Sequence, residues 1–355
     1  MNIVGLVVGA TGIAGRGACQ ELLARGAEVY GLSRRAEGLV PCVRYVAADL
    51  LDPEKLKMSL GGLKPTHVYI ATWSRQATEA ENIEVNSRMV RNLLAALAAA
   101  RSVKHVALVT GLKHYLGPFE AYVKAGTPPP TPLREEQRRL PLPNFYYAQE
   151  DELYAAAKRD GFTWSVHRPH TIIGKAIGNA MNMGTTLAAY ASICKEKGRA
   201  FAFPGSAAQW NGLSDMTDAR ILAKQLIWAS TDDLAKNEAY NIVNGDIFRW
   251  SWMWPRLAEW FGVEWRGFAG ETVPLEGQMA NDAPAWRTMA ENFGLVEPDL
   301  WRVASPWHTD LDLGRPIEVM TDMALSRKRG FLTYKNTEEA FCDLFAALRA
   351  DRVIP

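Results

Sequence analysis

The chain has 355 residues, room for one large domain with a smaller lobe. Apolar residues make up 48% and charged residues 22% of it, as in a globular protein with a sizeable core, and a formal net charge of +1 gives nucleic acid or an anionic membrane no electrostatic reason to bind. No run approaches ~18 uninterrupted apolar residues, the start lacks a signal peptide's pattern, and the four cysteines form no CxxC or Cys/His cluster; the expectation is a cytoplasmic protein with no membrane span, zinc or disulfide framework. In chain order, β-rich runs fall at Ile3–Val8, Glu28–Leu32, Val43–Ala47, His67–Thr72, His105–Thr110 and Trp164–His167. Helical spacing separates them at Gly15–Arg25, Pro53–Leu60, Glu81–Arg101 and Glu150–Arg159. The strands are almost continuously apolar, as in a parallel sheet covered on both faces. The pattern predicts an α/β fold: a Rossmann-type doubly wound sheet with a smaller, mostly helical lobe.

Residues Gly126–Pro143 hold six prolines and several charges, which predicts an ordered surface loop. After Pro169 the chain turns helical and rich in Trp and Met, with helices at Met181–Lys197 and Asp218–Ala229 and a late strand at Asn241–Asn244. The expected division is a nucleotide-binding domain over 1–175, with a returning segment near 237–250, and an interleaved substrate lobe over 176–236 and 251–355.

The first strand ends in Gly9-Ala10-Thr11-Gly12-Ile13-Ala14-Gly15 and opens a helix. In this spacing Gly9 permits the tight turn, Gly12 lets the backbone approach a pyrophosphate, and Gly15 allows close helix packing; the helix N-terminus offers N–H groups to the phosphates. At the tip of the second strand stand Ser33, Arg34 and Arg35 in place of the carboxylate that holds a ribose 2′-hydroxyl. Guanidiniums suit a 2′-phosphate, which predicts NADPH/NADP+ over NADH. Asp49, after the third strand, is placed either to approach the adenine or to shape the Asp49–Pro53 turn.

Enzymes on this fold usually place Tyr and Lys four residues apart on one helix. Here Tyr146 and Tyr147 both stand at a helix start, but Glu150 and Asp151 lie four residues on. The histidines His167 and His170 share no metal-ligand spacing with further ligands, and no metal is assigned.

Three strings bear on the missing lysine: Thr110-Gly111-Leu112-Lys113-His114-Tyr115-Leu116-Gly117-Pro118-Phe119-Glu120, Asn144-Phe145-Tyr146-Tyr147-Ala148-Gln149-Glu150-Asp151, and Thr163-Trp164-Ser165-Val166-His167-Arg168-Pro169. With Ala71-Thr72-Trp73, Ile193-Cys194-Lys195, Asn237–Asn241, Asn244–Asp246 and Gly330-Phe331-Leu332, they resemble the progesterone 5β-reductase and iridoid synthase-like family of extended short-chain reductases along nearly the whole chain. The resemblance implies that the lysine comes from the loop after the fifth strand, here Lys113, and that Tyr146 is the catalytic tyrosine. It implies NADPH-dependent reduction of the C=C bond of enones and enals, with hydride going to the β-carbon and Tyr146 and Lys113 stabilising the enolate. It adds Leu50, Thr72, Thr110, Tyr146, Pro169 and Ile172 to the cofactor-binding set of Gly9, Thr11, Gly12, Ile13, Gly15, Ser33, Arg34, Arg35 and Asp49. Trp73, Phe119, Tyr122, Met181 and Phe331 match positions lining the family's substrate cavity, whereas His170 stands where the family usually has a small residue. The expected partner is a small lipophilic enone, with a homodimer as the candidate assembly. The alternatives are a non-catalytic NADP(H)-binding sensor, or a carbonyl reductase or sugar-nucleotide epimerase of the extended short-chain group. The absent lysine four residues after the tyrosine speaks against the last two.

Overall fold

The structure, a computed structural model, describes residues 3–118 and 130–355. Phe119 and Tyr122 lie outside the described residues. The chain divides into two compact units.

The first unit comprises residues 1–170, 219–242 and 322–333. It holds seven strands: β1 (Val4–Val8), β2 (Glu28–Ser33), β3 (Arg44–Ala47), β4 (His67–Ile70), β5 (His105–Val109), β6 (Thr163–Pro169) and β7 (Glu238–Ile242). All pair in parallel, in the order β7-β6-β5-β4-β1-β2-β3. The chain thus runs outward from β1 through β2 to β3, then returns to the other side of β1 at β4. That reversal opens a crevice at the carboxyl ends of β1 and β4, where ligands of such sheets bind. The expected late strand forms three residues earlier than its sequence signal and pairs with β6.

The helices of this unit are α1 (Ile13–Ala24), α2 (Pro53–Leu60), α3 (Glu79–Ala98), α4 (Lys113–Leu116), α5 (Phe145–Asp160), α6 (Ala219–Thr231) and α7 (Ala324–Lys328). Their starts have local causes. Asp52 accepts the Lys55 N–H ahead of Pro53, Thr78 and Glu81 form a reciprocal capping box, and Asn144 accepts the Tyr146 N–H. One face of the sheet buries Leu6, Val8, Val68, Ile70, Val106, Leu108 and Val166 against Leu93, Leu94 and Leu97 of α3 and Leu153 and Ala156 of α5. Burial at ~25 cal/mol per Å2 of apolar surface is what holds these layers together. The described part of the proline-rich segment, 130–143, forms neither helix nor named strand. It is tied down by Leu133, whose carbonyl accepts the Asn241 Nδ2–H at 3.0 Å and the Asp322 N–H at 2.8 Å.

The second unit comprises residues 171–218, 243–321 and 334–355. The sheet unit therefore takes in α6 and residues 322–333, which the sequence pattern groups with the smaller lobe. The second unit is built around an almost wholly buried helix, Met183–Glu196, packed with helices Trp250–Phe261 and Thr337–Ala350. Its aromatic centre includes Phe201 stacked on Trp254, with ring centroids 4.0 Å apart. No helix among the described residues is long and apolar enough to cross a membrane. The cysteines are free thiols, with Cys19 and Cys194 buried and Cys42 exposed.

Candidate active site

The glycine turn closes at the crevice. Gly9 donates its N–H to the Leu32 carbonyl at 2.9 Å and adopts φ +83°, a left-handed conformation that favours glycine. A Cβ on Gly15 would lie 2.1 Å from the Gly9 carbonyl oxygen, so only glycine lets α1 start this close to the end of β1. Gly12 is the N-cap of α1, in extended conformation, with Ile13 as the first helical residue and no acidic side chain in the first turn. The N-terminal N–H groups of α1 and its positive dipole end thus suit a diphosphate. Thr72 follows β4 directly against the turn: its Cβ lies 2.8 Å from where a Gly9 Cβ would stand.

At the tip of β2, the Ser33 hydroxyl donates to the Arg35 carbonyl at 2.6 Å. Arg34 and Arg35 are exposed, and neither guanidinium has an ion-pair partner among the described residues. Asp49 is also exposed; its carboxylate accepts the Leu51 N–H at 2.9 Å, a local turn bond, while Leu50 is buried with its carbonyl bonded to Asn92 of α3. These residues fit an adenosine 2′-phosphate in charge and in the lack of any acidic group among Ser33, Arg34 and Arg35.

The second half of the site forms where β5 and β6 end. Thr110 is buried and donates its N–H to the His167 carbonyl at 2.8 Å. A Cβ on Gly111 would lie 3.2 Å from the Tyr146 hydroxyl oxygen and 3.5 Å from the Pro169 carbonyl, so the phenol tip reaches the carboxyl ends of both strands. Asn144 joins the two chain segments: it accepts the Tyr146 N–H at 3.0 Å and donates to the Lys113 carbonyl at 2.7 Å. The Lys113 ammonium lies 5.0 Å from the Phe145 ring centroid and 5.4 Å from that of Trp73, and these two rings stack at 5.0 Å. Phe145 in turn packs on Tyr146, centroids 4.2 Å apart. Lys113 and Tyr146 therefore share one aromatic cluster.

The two candidate tyrosines differ in what their hydroxyls do. That of Tyr147 donates to the His114 carbonyl at 2.5 Å and accepts the Leu140 N–H at 3.0 Å. That of Tyr146 has no hydrogen-bond partner among the described residues. Burial, and after it the Glu79 carboxylate, push the Tyr146 phenol well above its ordinary pKa. Glu79 also accepts the Phe145 N–H at 2.8 Å, which places its charge at the first turn of α5.

Of the other expected residues, Phe331 is buried against Trp228, ring centroids 5.3 Å apart, and Trp73 is half-buried. Ile172 and Met181 fall in the second unit, where Ile172 pairs with Thr217 and the Met181 N–H is held by Asn179 at 3.0 Å. His170 is buried at the end of β6, and no metal-competent group of His, Cys, Asp or Glu occurs among the described residues. Asn144, Glu150, Arg168 and Asn241 shape the site without having been singled out by sequence. Asn144 and Glu150 stand in the string that carries Tyr146, and Arg168 and Asn241 in two of the other strings quoted above, but nothing local says which neighbours a polar side chain will meet.

A seven-stranded parallel sheet with a glycine turn at its reversal and a tyrosine at the ends of β5 and β6 defines an extended short-chain Rossmann protein. The model of the PRISE-like Rossmann-fold domain matches residues 54–355, and the chain belongs to that family. It is 38% identical to the (S)-8-oxocitronellyl enol synthase of Nepeta cataria and 38% identical to the 3-oxo-Delta(4,5)-steroid 5-beta-reductase of Arabidopsis thaliana, in each case over 99% of this chain and 93% of the relative. Among solved structures it is similar to the UDP-glucose 4-epimerase of Thermotoga maritima, with a TM-score of 0.67, 16% identity and 99% coverage of both chains; that likeness carries the fold alone.

Proposed function

We propose that the protein is an NADPH-dependent reductase of the C=C bond of activated enones and enals, with Tyr146 and Lys113 as its catalytic residues. The observation that supports it most is the hydroxyl of the buried Tyr146, unengaged among the described residues, at the carboxyl ends of β5 and β6 with the Lys113 ammonium over the adjoining rings. In 1,4-reduction negative charge develops on the carbonyl oxygen. A preorganised donor aimed there lowers the barrier by a few kcal/mol. Tyr146 stays protonated through the working range because burial holds its pKa up, so it can donate to that oxygen throughout. Lys113 adds positive potential on the same side. When bound, NADPH supplies the hydride that the β-carbon receives. The α-carbon takes its proton from solvent, so no dedicated carbon acid is needed.

Gly9, Thr11, Gly12, Ile13 and Gly15 would hold the diphosphate, and Ser33, Arg34 and Arg35 the 2′-phosphate. Asp49, Leu50, Thr72, Thr110 and Pro169 would complete the cofactor site. Trp73 and Phe331 would face a small lipophilic enone. The names of the relatives agree with this chemistry: one makes an enol and another reduces a 3-oxo-Delta(4,5)-steroid. A sensor has no use for a buried phenol at this position. The epimerase reading rests on a structural likeness of 16% identity, whereas the reductase and the enol synthase stand at 38%. The free thiols fit a cytoplasmic location, and a homodimer remains the candidate assembly.

The test is NADPH consumption with cyclohexenone, a citral-type enal, progesterone, a simple ketone and a UDP-sugar. Turnover of at least one enone to the saturated carbonyl or its enol, with NADPH strongly preferred to NADH, is expected. Turnover of the ketone or the sugar nucleotide alone would overturn the proposal.

A further inference from the structure

Conventional short-chain enzymes carry their lysine four residues after the tyrosine. Here that position is Glu150, and its side chain is 1% exposed. One oxygen, Oε2, accepts from Arg139 Nη2 at 2.7 Å. The other, Oε1, is buried with no hydrogen-bond partner among the described residues; it lies 3.7 Å from Arg168 Nη2 and 4.0 Å from His114 Nδ1. Both of those neighbours are also buried, and His114 Nδ1 and Arg168 Nε have no partners among the described residues.

The donor and acceptor roles fit together. His114 Nε2 lies 3.3 Å from the Gln137 carbonyl, an acceptor, so the proton is assigned to Nε2 and Nδ1 presents a lone pair. Burial, with Arg168 and Arg139 nearby, pushes the His114 pKa down to about 3, so the ring is neutral. Nδ1 and the carboxylate Oε1 are then two acceptors that cannot satisfy each other, and Arg168 is a donor. One water between them would donate to both acceptors and accept from the guanidinium. Separations of 3.7 and 4.0 Å are too long for direct bonds and suit a bridge.

His114 is the residue after Lys113 on the one-turn helix α4. That helix is too short to hold its own orientation. Asn144 holds the Lys113 carbonyl at 2.7 Å, and other anchors of the helix lead to this cluster: the His114 carbonyl to Tyr147, the His114 ring to Gln137, and the Tyr115 hydroxyl to Asn241 at 2.7 Å and Arg168 at 3.2 Å. We infer that Glu150, joined to Arg168 and His114 through an internal water, is the positioning residue for Lys113. The acid thus occupies the sequence position of the missing lysine and orients the lysine that replaces it. This rests on the reading of Lys113 as catalytic.

The experiment is a double-mutant cycle on the full chain, with Glu150→Gln and Lys113→Ala made singly and together. kcat and the KM values for NADPH and cyclohexenone are measured for each. Glu150→Gln should lower kcat about tenfold, the scale of a modest misplacement of a catalytic group, with the KM for NADPH unchanged. In the Lys113→Ala background it should add almost nothing. An equal loss in both backgrounds, or wild-type kcat in Glu150→Gln, overturns the inference and leaves the catalytic reading standing. Parental kcat in Lys113→Ala alone instead removes the catalytic reading, and the inference with it. If Glu150→Gln does not fold, His114→Phe keeps an aromatic ring and deletes the Nδ1 acceptor, and the same cycle decides.

Discussion

The glycine turn and the Lys113–Tyr146 cluster are two halves of one proposed site, built in opposite ways. The turn is a single stretch of seven residues, Gly9 to Gly15, whose function lies in backbone N–H groups and in the absence of side chains. The cluster is made of side chains from the loop after β4, from α4 and from α5, brought together by the sheet and held by Asn144, Tyr147 and Glu150. A site made of backbone is robust to its surroundings and intolerant of a Cβ. A site made of side chains depends on a supporting shell, and small shifts in that shell reach the chemistry.

The largest effect should come from the turn. Gly15→Val would set a Cβ 2.1 Å from the Gly9 carbonyl, a clash that no side-chain motion relieves. NADPH binding by fluorescence should be lost altogether. A variant that binds normally would remove the backbone cradle from the account. In the cluster, Tyr146→Phe keeps the ring and deletes the donor, so kcat should fall by about 10²–10³-fold with NADPH affinity retained. Next is the 2′-phosphate end: Arg34→Ala with Arg35→Ala should weaken NADPH by roughly 10–100-fold and leave NADH nearly unchanged, on the scale of one or two charge-assisted bonds. Equal losses for both cofactors would mean that the arginines are solvated surface charges.

The strands beneath the cluster supply a pH prediction. A buried polar row links His105 to Ser165, Ser165 to His167 and His167 to Gln225, at 2.9, 2.9 and 2.8 Å. Burial holds His167 down at about pKa 4 and His105 well below its usual value. Between the ordinary histidine pKa near 6.5 and about 4, the unfolded chain binds protons that the native state refuses. Stability should therefore be full above pH ~6.5 and fall as the pH drops, by about 2 kcal/mol from His167 alone at pH 5. Burial pushes the Glu135 carboxyl up to about 7, which opposes this trend, so thermal melts from pH 8 to pH 5 compare the parent with His167→Gln; the same pH dependence in both would mean that the His167 ring is accessible to water. The smallest effect is the control for the phenol. Tyr147→Phe removes two bonds to backbone groups, and should lower stability by about 1–2 kcal/mol while keeping kcat far above that of Tyr146→Phe. The reverse ranking of kcat would exchange the roles of the two tyrosines.

Sequence periodicity marked every strand of the sheet to within a few residues, most clearly the central ones, because strands buried on both faces must be apolar throughout, whereas edge strand β3 is largely exposed. The glycine turn was legible too, since its spacing and its strand–helix context are local. The helix carrying Tyr146 begins at Phe145, earlier than its periodic signal at Glu150, because the Asn144 cap and the aromatic cluster, rather than an amphipathic stripe, decide its start. Residues 322–333 returned to the sheet unit without any sequence sign; their link is the Asp322 backbone meeting Leu133 and Asn241.

What the sequence determined by itself was the layered α/β order, the cradle for a dinucleotide and the pair of candidate phenols, all properties of short stretches of chain. Which phenol is unengaged, where Lys113 reaches and what Glu150 does were decided only when β5, α4, α5 and β6 packed. Those facts depend on hydrogen bonds between residues far apart in the chain, and such partners have no imprint in local composition.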